Sequence, residues 1–327
     1  MTSQAASVRR SSPATDVALR ILARYGVLIA FAIMILVFAI VAKNFWTIDT
    51  LKNILRDSSP GIVVAVGLTV VLVMQDFDLS ISGMIGLATG CAVALMVYHG
   101  WGWGWAIVIA LLFGVGAGLV NGFLIAILRG NSFIMTLAMA TILTGIELAF
   151  TNNSVVFTGV PQGYVDIAAR DSLGLSNQFW IALGIAVFLW LLLDTTESGR
   201  FMYAIGGNPE AARLSGIQTR KLRVVGFVIV GITAAIVGIL ISSFSAAYNP
   251  QRGAAYLLPA YAGAFLGSAC FRPGTFNVPG TVAGVLFLGT IQTGLTYLNL
   301  QTYLIGIVQG AILIGAVLLS TLAARRG

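Results

Sequence analysis

The sequence predicts an all-α polytopic membrane protein with about ten transmembrane helices and both termini in the cytoplasm. Three observations carry this. Hydrophobic residues fill 58% of the 327 positions and charged ones only 9%, against about 25% charged in a soluble domain. The apolar residues come in continuous runs, several near or above the roughly 18 needed to cross a bilayer. The basic residues fall mainly on alternate loops. Continuous runs exclude a β-barrel, whose strands alternate. A soluble fold of this composition would lack the polar surface to cover its core.

Taken in order, the spans fall at 26–42, 60–74, 82–98, 104–128, 133–150, 178–193, 224–243, 256–270, 278–298 and 302–322. The second, sixth and eighth are short for a core of about 30 Å, so they are either discontinuous or longer than their apolar runs. Together they make one membrane domain at 26–322, between an N-terminal tail at 1–25 and a C-terminal tail at 323–327. No small-residue cleavage site follows the first apolar run, which therefore reads as a retained span.

Orientation follows from charge. With the N-terminus inside, the inner side receives Arg9, Arg10, Arg20, Arg24, Arg129, Arg200, Arg213, Arg220, Lys221, Arg223, Arg272, Arg325 and Arg326. The outer side receives only Lys43, Lys52, Arg56, Arg170 and Arg252. The net charge of +7 is then mostly topology, and no nucleic-acid motif is visible. Trp101, Trp103 and Trp105 sit together at an interface, as aromatic belts do.

Glycines four apart mark tight helix contacts: Gly114, Gly118 and Gly122, and the pairs Gly86/Gly90, Gly263/Gly267, Gly280/Gly284 and Gly306/Gly310. Cys91 and Cys270 lie in apolar runs and read as small hydrophobes. His99 is the only histidine. No catalytic, cofactor or metal constellation is expected, and the chain has no G-x-x-x-x-G-K-[ST] loop with which to bind ATP itself.

Three polar interruptions stand out. The longest charged one is the loop at 194–223. Within it Asn208 can cap a helix, Pro209 suits the first turn, Glu210 sits near the positive end and Gly216 supplies the stop. The pattern predicts a short helix over Pro209–Ser215, held outside the bilayer as a handle for another protein. The second interruption runs from Gln75 to Ser82. It is either a solvated turn whose Asp78 or Ser80 caps the next helix, or a group lining or gating a polar pathway. Glu147, near the end of the fifth span, is either solvated at the interface or a pore-mouth group. Asn121, Gln292, Thr293, Thr296, Asn299 and Gln309 are polar residues within or beside spans that either satisfy one another or face a solute.

These residues resemble a family. Glu210-Ala211-Ala212, three residues and Gly216 match the E-A-A-x-x-x-G signature of ABC-importer permeases. The whole run from Tyr203 to Ile217 resembles their monosaccharide, ribose-type branch. Asp78-Leu79-Ser80 is similar to the D-L-S motif before the third helix. Asn121-Gly122 followed by Phe133-Ile134-Met135-Thr136-Leu137 is similar to an N-G…F-I-x-T-L block. Phe265-Leu266-Gly267-Ser268 with Pro279 to Gly284 is similar to the glycine-rich eighth-to-ninth segment. The likeness covers nearly the whole chain after about residue 25. Two departures stand out: Gln75, Asp76 and Phe77 replace a frequent pair of glycines and an aliphatic residue, and Ser132 replaces a frequent proline.

The resemblance implies a permease subunit of the bacterial inner membrane, importing a monosaccharide or related polyol. It implies a second permease subunit, identical or similar. It implies two cytoplasmic ABC ATPase domains that bind the ATP and Mg and dock on Asn208, Pro209, Glu210, Ala211, Ala212, Arg213, Leu214, Ser215 and Gly216. A periplasmic sugar-binding protein would deliver the substrate. Asp78, Ser80, Asn121, Thr136, Glu147, Gln292 and Asn299 stand as candidates for the pathway. The competing reading is an ion-coupled secondary transporter. It would draw on Asp76, Asp78 and Glu147 for coupling and would leave the capped helix without a role.

Overall fold

Twelve helices follow one another in the residues that the computed structural model describes, 29–301 together with 303, 304, 306–308, 310, 311 and 314. They are α1 (Ile29–Val41), α2 (Ile48–Val73), α3 (Ile81–Val97), α4 (Trp103–Gly122), α5 (Ser132–Thr151), α6 (Gln162–Ala169), α7 (Asn177–Thr195), α8 (Glu197–Gly207), α9 (Pro209–Leu214), α10 (Thr219–Ser245), α11 (Ala254–Ser268) and α12 (Val278–Tyr297). Several of the residues at 303–314 are helical again. The tails at 1–25 and 323–327, most of the tenth span and Gln309 lie outside the described residues.

Six helices are long and apolar enough to cross a membrane: α2, α4 with its π-helical extension Phe123–Ile127, α5, α7, α10 and α12. Helices α1 and α3 are apolar but shorter. The fold is thus all-α and polytopic. The second span is not short. Its apolar half at 60–74 is the buried end of the 26-residue α2, so residues 48–59, expected as loop, are helical. Pro60 removes a helix hydrogen bond there. The Arg56 carbonyl it leaves accepts instead from Gln178 Nε2 of α7 at 2.7 Å. Helix α11 does stay short, at 15 residues or about 22 Å.

Buried helices form the centre. In its most apolar window α2 is 78% buried, against 22% for α5. Helix α10 packs on both α2 and α3, and the three are wrapped by α4, α5, α7, α11 and α12. The glycine stripes lie in these contacts except the pair Gly306/Gly310, where a β-carbon would meet nothing within 4 Å among the described residues. A side chain at Gly114 or Gly118 would strike the α10 backbone at Gly231 or Phe227, and one at Gly267 would strike Gly280 of α12. Backbones this close are the small-residue packing that association in lipid uses.

The chain crosses end to end, so two ends can be named by the short helices they carry. The α6 end holds residues 42–47, 98–102, 152–176 and 246–253. There α6 is pinned to α10 by Tyr164 Oη and Ser242 Oγ, 2.6 Å apart. A two-residue antiparallel hairpin, Asp171–Ser172 with Leu175–Ser176, turns through Leu173 and Gly174, both at positive φ. That is the turn geometry matching strand twist. The α9 end holds residues 74–80, 128–131, 196–218 and 269–277.

Candidate functional site

At the α9 end, three short-range signals build the exposed helix. Asn208 Oδ1 accepts from the backbone N–H of Glu210 at 3.1 Å and of Ala211 at 3.0 Å. Pro209 occupies the first turn. Gly216 closes the helix at φ +85°, where a β-carbon is disfavoured. The Arg213 guanidinium pairs with Glu210 across one turn and, by hydrogen bond first and charge second, holds its carboxyl below the usual range. Ala212 is buried, while Glu210, Ala211, Arg213, Leu214, Ser215 and Gly216 are exposed. Leu214, 76% exposed, offers an apolar contact on a polar helix. The loop at 194–223 contains one element the sequence did not suggest: α8, capped by Thr196 Oγ1, with Met202 and Ile205 buried beneath it.

Three contacts tie this segment to the bundle. Arg223, near the start of α10, donates from Nε and Nη2 to both oxygens of Asp76, at 2.7 and 2.8 Å. Tyr203 Oη of α8 donates to the Phe276 carbonyl at 3.0 Å. Arg272 pairs with Asp194 at the end of α7 at 3.1 and 3.2 Å. The Asp76–Arg223 pair joins residues 147 apart in sequence, so no local pattern could reveal it.

Asp76 belongs to the turn at 74–80, which is not the solvated turn that was one of two expectations. Asp76, Asp78 and Ser80 are at most 4% exposed. Buried backbone donors need partners, and here side chains supply them. Phe77 N donates to Ser132 Oγ at 3.2 Å, Asp78 N to Tyr261 Oη at 2.9 Å and Leu79 N to Thr136 Oγ1 at 3.0 Å. Asp78 Oδ1 accepts from Ser80 N at 2.9 Å and from Ser80 Oγ, and Asn121 Nδ2 donates to Ser80 Oγ at 2.8 Å. Four of the candidate pathway residues, Asp78, Ser80, Asn121 and Thr136, are therefore one buried knot among α3, α4, α5 and α11. The two departures from the family pattern also meet here, since Ser132 holds Phe77 N, which a proline could not accept. Aromatic rings continue the knot: Phe77 stacks on Tyr261 at 6.2 Å and Tyr261 on Phe265 at 6.4 Å, and Phe265 meets Phe276 edge-on at 5.2 Å. Phe276 is the residue Tyr203 holds.

Glu147 is not solvated either. It is 1% exposed, seated against Gly86. Its Oε1 accepts from Tyr248 Oη at 3.0 Å and Gln251 N at 2.8 Å, which anchors the strap at 246–253, while its Oε2 is buried with no partner among the described residues. Asn299, exposed and at φ +56°, ends α12.

Gln292 has a different setting. It lines a cavity of about 440 Å³ at the α6 end, walled by α2, by α12 and by the strap leading into α11, with Asn53, Asp57, Arg252 and Thr293. Its volume lies in the range of small-molecule sites. Gln292, Thr293 and Thr296 were among the polar residues that the sequence offered, while Asn53, Asp57 and Arg252 were not. Polar side chains spaced along the α6-end half of α2 do not stand apart from ordinary interface positions.

Residues 50–317 match the family described as the permease component of a branched-chain amino acid transport system. The chain is 33% identical to the Escherichia coli K12 ribose import permease protein RbsC over 296 residues, 89% of this chain and 91% of that one. It is 33% identical to the Escherichia coli K12 L-arabinose transport system permease protein AraH over 308 residues, 91% and 90% of the two chains. It is 30% identical to the Bacillus subtilis ribose import permease protein RbsC over 300 residues, 91% and 93% of the two chains.

Proposed function

We propose a function from an established premise: the chain belongs to the permease-component family of membrane transport systems. It is a multi-pass protein of the inner (plasma) membrane and the permease subunit of an ABC importer for a monosaccharide. The family description speaks of branched-chain amino acids. The relatives that align over about nine-tenths of both chains carry ribose and arabinose, and likeness over the whole length is the narrower guide.

The finer reading has ten spans, both termini in the cytoplasm and the α9 end facing it. Arg129, Arg200, Arg213, Arg220, Lys221, Arg223 and Arg272 at that end support this by the positive-inside bias. Two ATPase subunits carry ATP and Mg and engage Asn208 to Gly216. A second permease subunit completes the path, and a periplasmic binding protein delivers sugar to the α6 end. The observation that carries the reading is the capped, exposed α9 joined to the buried turn at 74–80 through the two-pronged Arg223–Asp76 pair.

The physical logic is population shift. Closure of the ATPases favours one arrangement of α9, and that preference reaches the bundle only through contacts that differ between states. Arg223–Asp76 hands it to the 74–80 turn, and Tyr203–Phe276 hands it to the aromatic rings ending on Tyr261. Both routes converge on α11, whose Tyr261 holds Asp78 N. The candidate residues Asp78, Ser80, Asn121 and Thr136 are therefore a joint that moves with the gate, and Glu147 fixes the outer strap. Of the seven, Gln292 is the one that faces the solute.

The test is reconstitution with the ATPase and binding protein in proteoliposomes. Uptake of labelled ribose or arabinose is expected to need ATP and to ignore collapse of the proton gradient; the opposite dependence would favour the secondary-transporter reading. Glu210→Lys and Gly216→Val are expected to uncouple ATP hydrolysis from uptake while membrane insertion is kept. Unchanged transport in both would remove the docking role.

A further inference from the structure

We infer that the cavity among α2, α11 and α12 is a resting site for one neutral polyol, gripped by Ser58 Oγ and the Ala255 carbonyl. The inference rests on the importer reading above and adds to it where the sugar pauses and what holds it.

The first observation is an open hydrogen-bonding position. Ser58 is 5% exposed, and its Oγ has no partner among the described residues. Ser58 is one of the residues that line the cavity. A buried hydroxyl without a partner is costly, and native folds keep few of them. Gly289 of α12 packs against this hydroxyl, and a β-carbon at 289 would collide with Oγ.

The second observation is independent. Pro259 lies inside α11 and cannot donate to the carbonyl four residues before it, that of Ala255. Both residues line the same cavity. The bundle contains its own control. Pro60 creates the same defect in α2, and there Gln178 Nε2 fills it at 2.7 Å. The defect in α2 is repaired by a neighbouring helix, while the one in α11 opens on a cavity.

The chemistry selects a class of ligand. Ser58 Oγ can donate and accept, and a carbonyl only accepts. A hydroxyl can donate to the carbonyl while another trades a bond with the serine. Vicinal hydroxyls of a sugar meet both demands at once. Asn53 and Thr293 on facing walls extend the same pattern, and the Tyr256 side chain lines the floor with Pro259, apolar surface for the C–H face of a sugar ring. The Asp57 carboxylate is bonded to Arg56 at 2.8 Å, so it is not an open counter-charge for a cation.

The test is direct binding to the permease–ATPase complex in nanodiscs, with labelled ribose and labelled arabinose as probes at millimolar concentration, alongside labelled leucine. Ser58→Ala is expected to weaken sugar binding about 3- to 10-fold. The loss should shrink for a deoxy-sugar lacking the hydroxyl that meets Ser58, a pattern that general loosening of the fold would not produce. Gly289→Ala should weaken binding through the same hydroxyl. If it fails to assemble, Ser58→Ala alone decides. Sugar binding that is equal in wild type and Ser58→Ala would overturn the site while leaving the importer reading intact. Binding and uptake of leucine with no response to either sugar would overturn the sugar reading, and the site with it.

Discussion

The turn at 74–80 and the cavity walled by α2, α11 and α12 are both polar places inside an apolar bundle, and they treat their polar atoms in opposite ways. In the turn, the N–H groups of residues 77 to 80 each reach a side-chain oxygen, and the Asp76 carboxylate is met on both oxygens by Arg223. In the cavity, a serine hydroxyl stands open and a proline leaves a carbonyl without its helix donor. A satisfied network is rigid and specific, because breaking any member strands the others. An open one waits for a ligand. Burial of polar residues in a transporter therefore does not by itself mark the pathway; what distinguishes the two places is that every backbone donor of the turn is met, although Asn121 Oδ1 beside it has no partner among the described residues.

The largest effect that would break this comparison is at the Arg223–Asp76 pair. Arg223→Ala leaves a buried carboxylate alone and is expected to cost about 2–4 kcal/mol, read as a lower Tm of the purified permease. Replacing both partners, Asp76→Leu with Arg223→Met, should recover most of that stability, yet ATP hydrolysis should no longer follow sugar delivery. Recovery of coupling as well would show that the pair only holds the fold.

Next is Asp78→Ala. It strips Ser80 of two bonds and is expected to cost about 1–3 kcal/mol, whereas Asp78→Asn, which keeps an acceptor, should cost less than half as much by the same thermal measurement. Equal losses would mean the charge matters and not the acceptor.

Smaller still is Gln178→Leu, which takes away the side chain that replaces the helix donor missing at the Arg56 carbonyl. A loss of about 1 kcal/mol with unchanged sugar binding would sharpen the contrast between a repaired proline defect and a functional one.

The smallest effect concerns pH. The folded Glu210 carboxyl titrates below its ordinary value because Arg213 bonds it. A depressed carboxylate contributes above its unfolded value and loses that contribution as pH falls through the folded one. ATPase docking should thus be flat from neutral pH down to about pH 5. A drop already between about pH 7 and 6 would point to another group.

Legibility in the sequence followed the range of the interactions. Helix α9 could be read because its cap, first turn, ion pair and stop all lie within nine residues, from Asn208 to Gly216. The glycine stripes could be read because helical spacing alone puts Gly114, Gly118 and Gly122 on one face. Helix α8 was missed because its buried Met202 and Ile205 are too few to make a visible apolar run. Glu147 invited a solvated reading because its partners, Tyr248 and Gln251, arrive from a strap about a hundred residues away. Ser58 and Gly289 carry no signal at all on their own, since a serine in an apolar helix usually satisfies itself on the preceding turn.

Composition, apolar run length and charge bias determined that this chain is a helical membrane protein, and local capping chemistry determined that it holds out a short helix at one end. These are one-dimensional properties, set by solvent and by neighbours within a turn. Only the tertiary structure decided which polar residues are spent on one another and which are left open. That outcome depends on which helices meet, and a hydrogen bond between residues 147 apart is created by packing, for which sequence spacing holds no record.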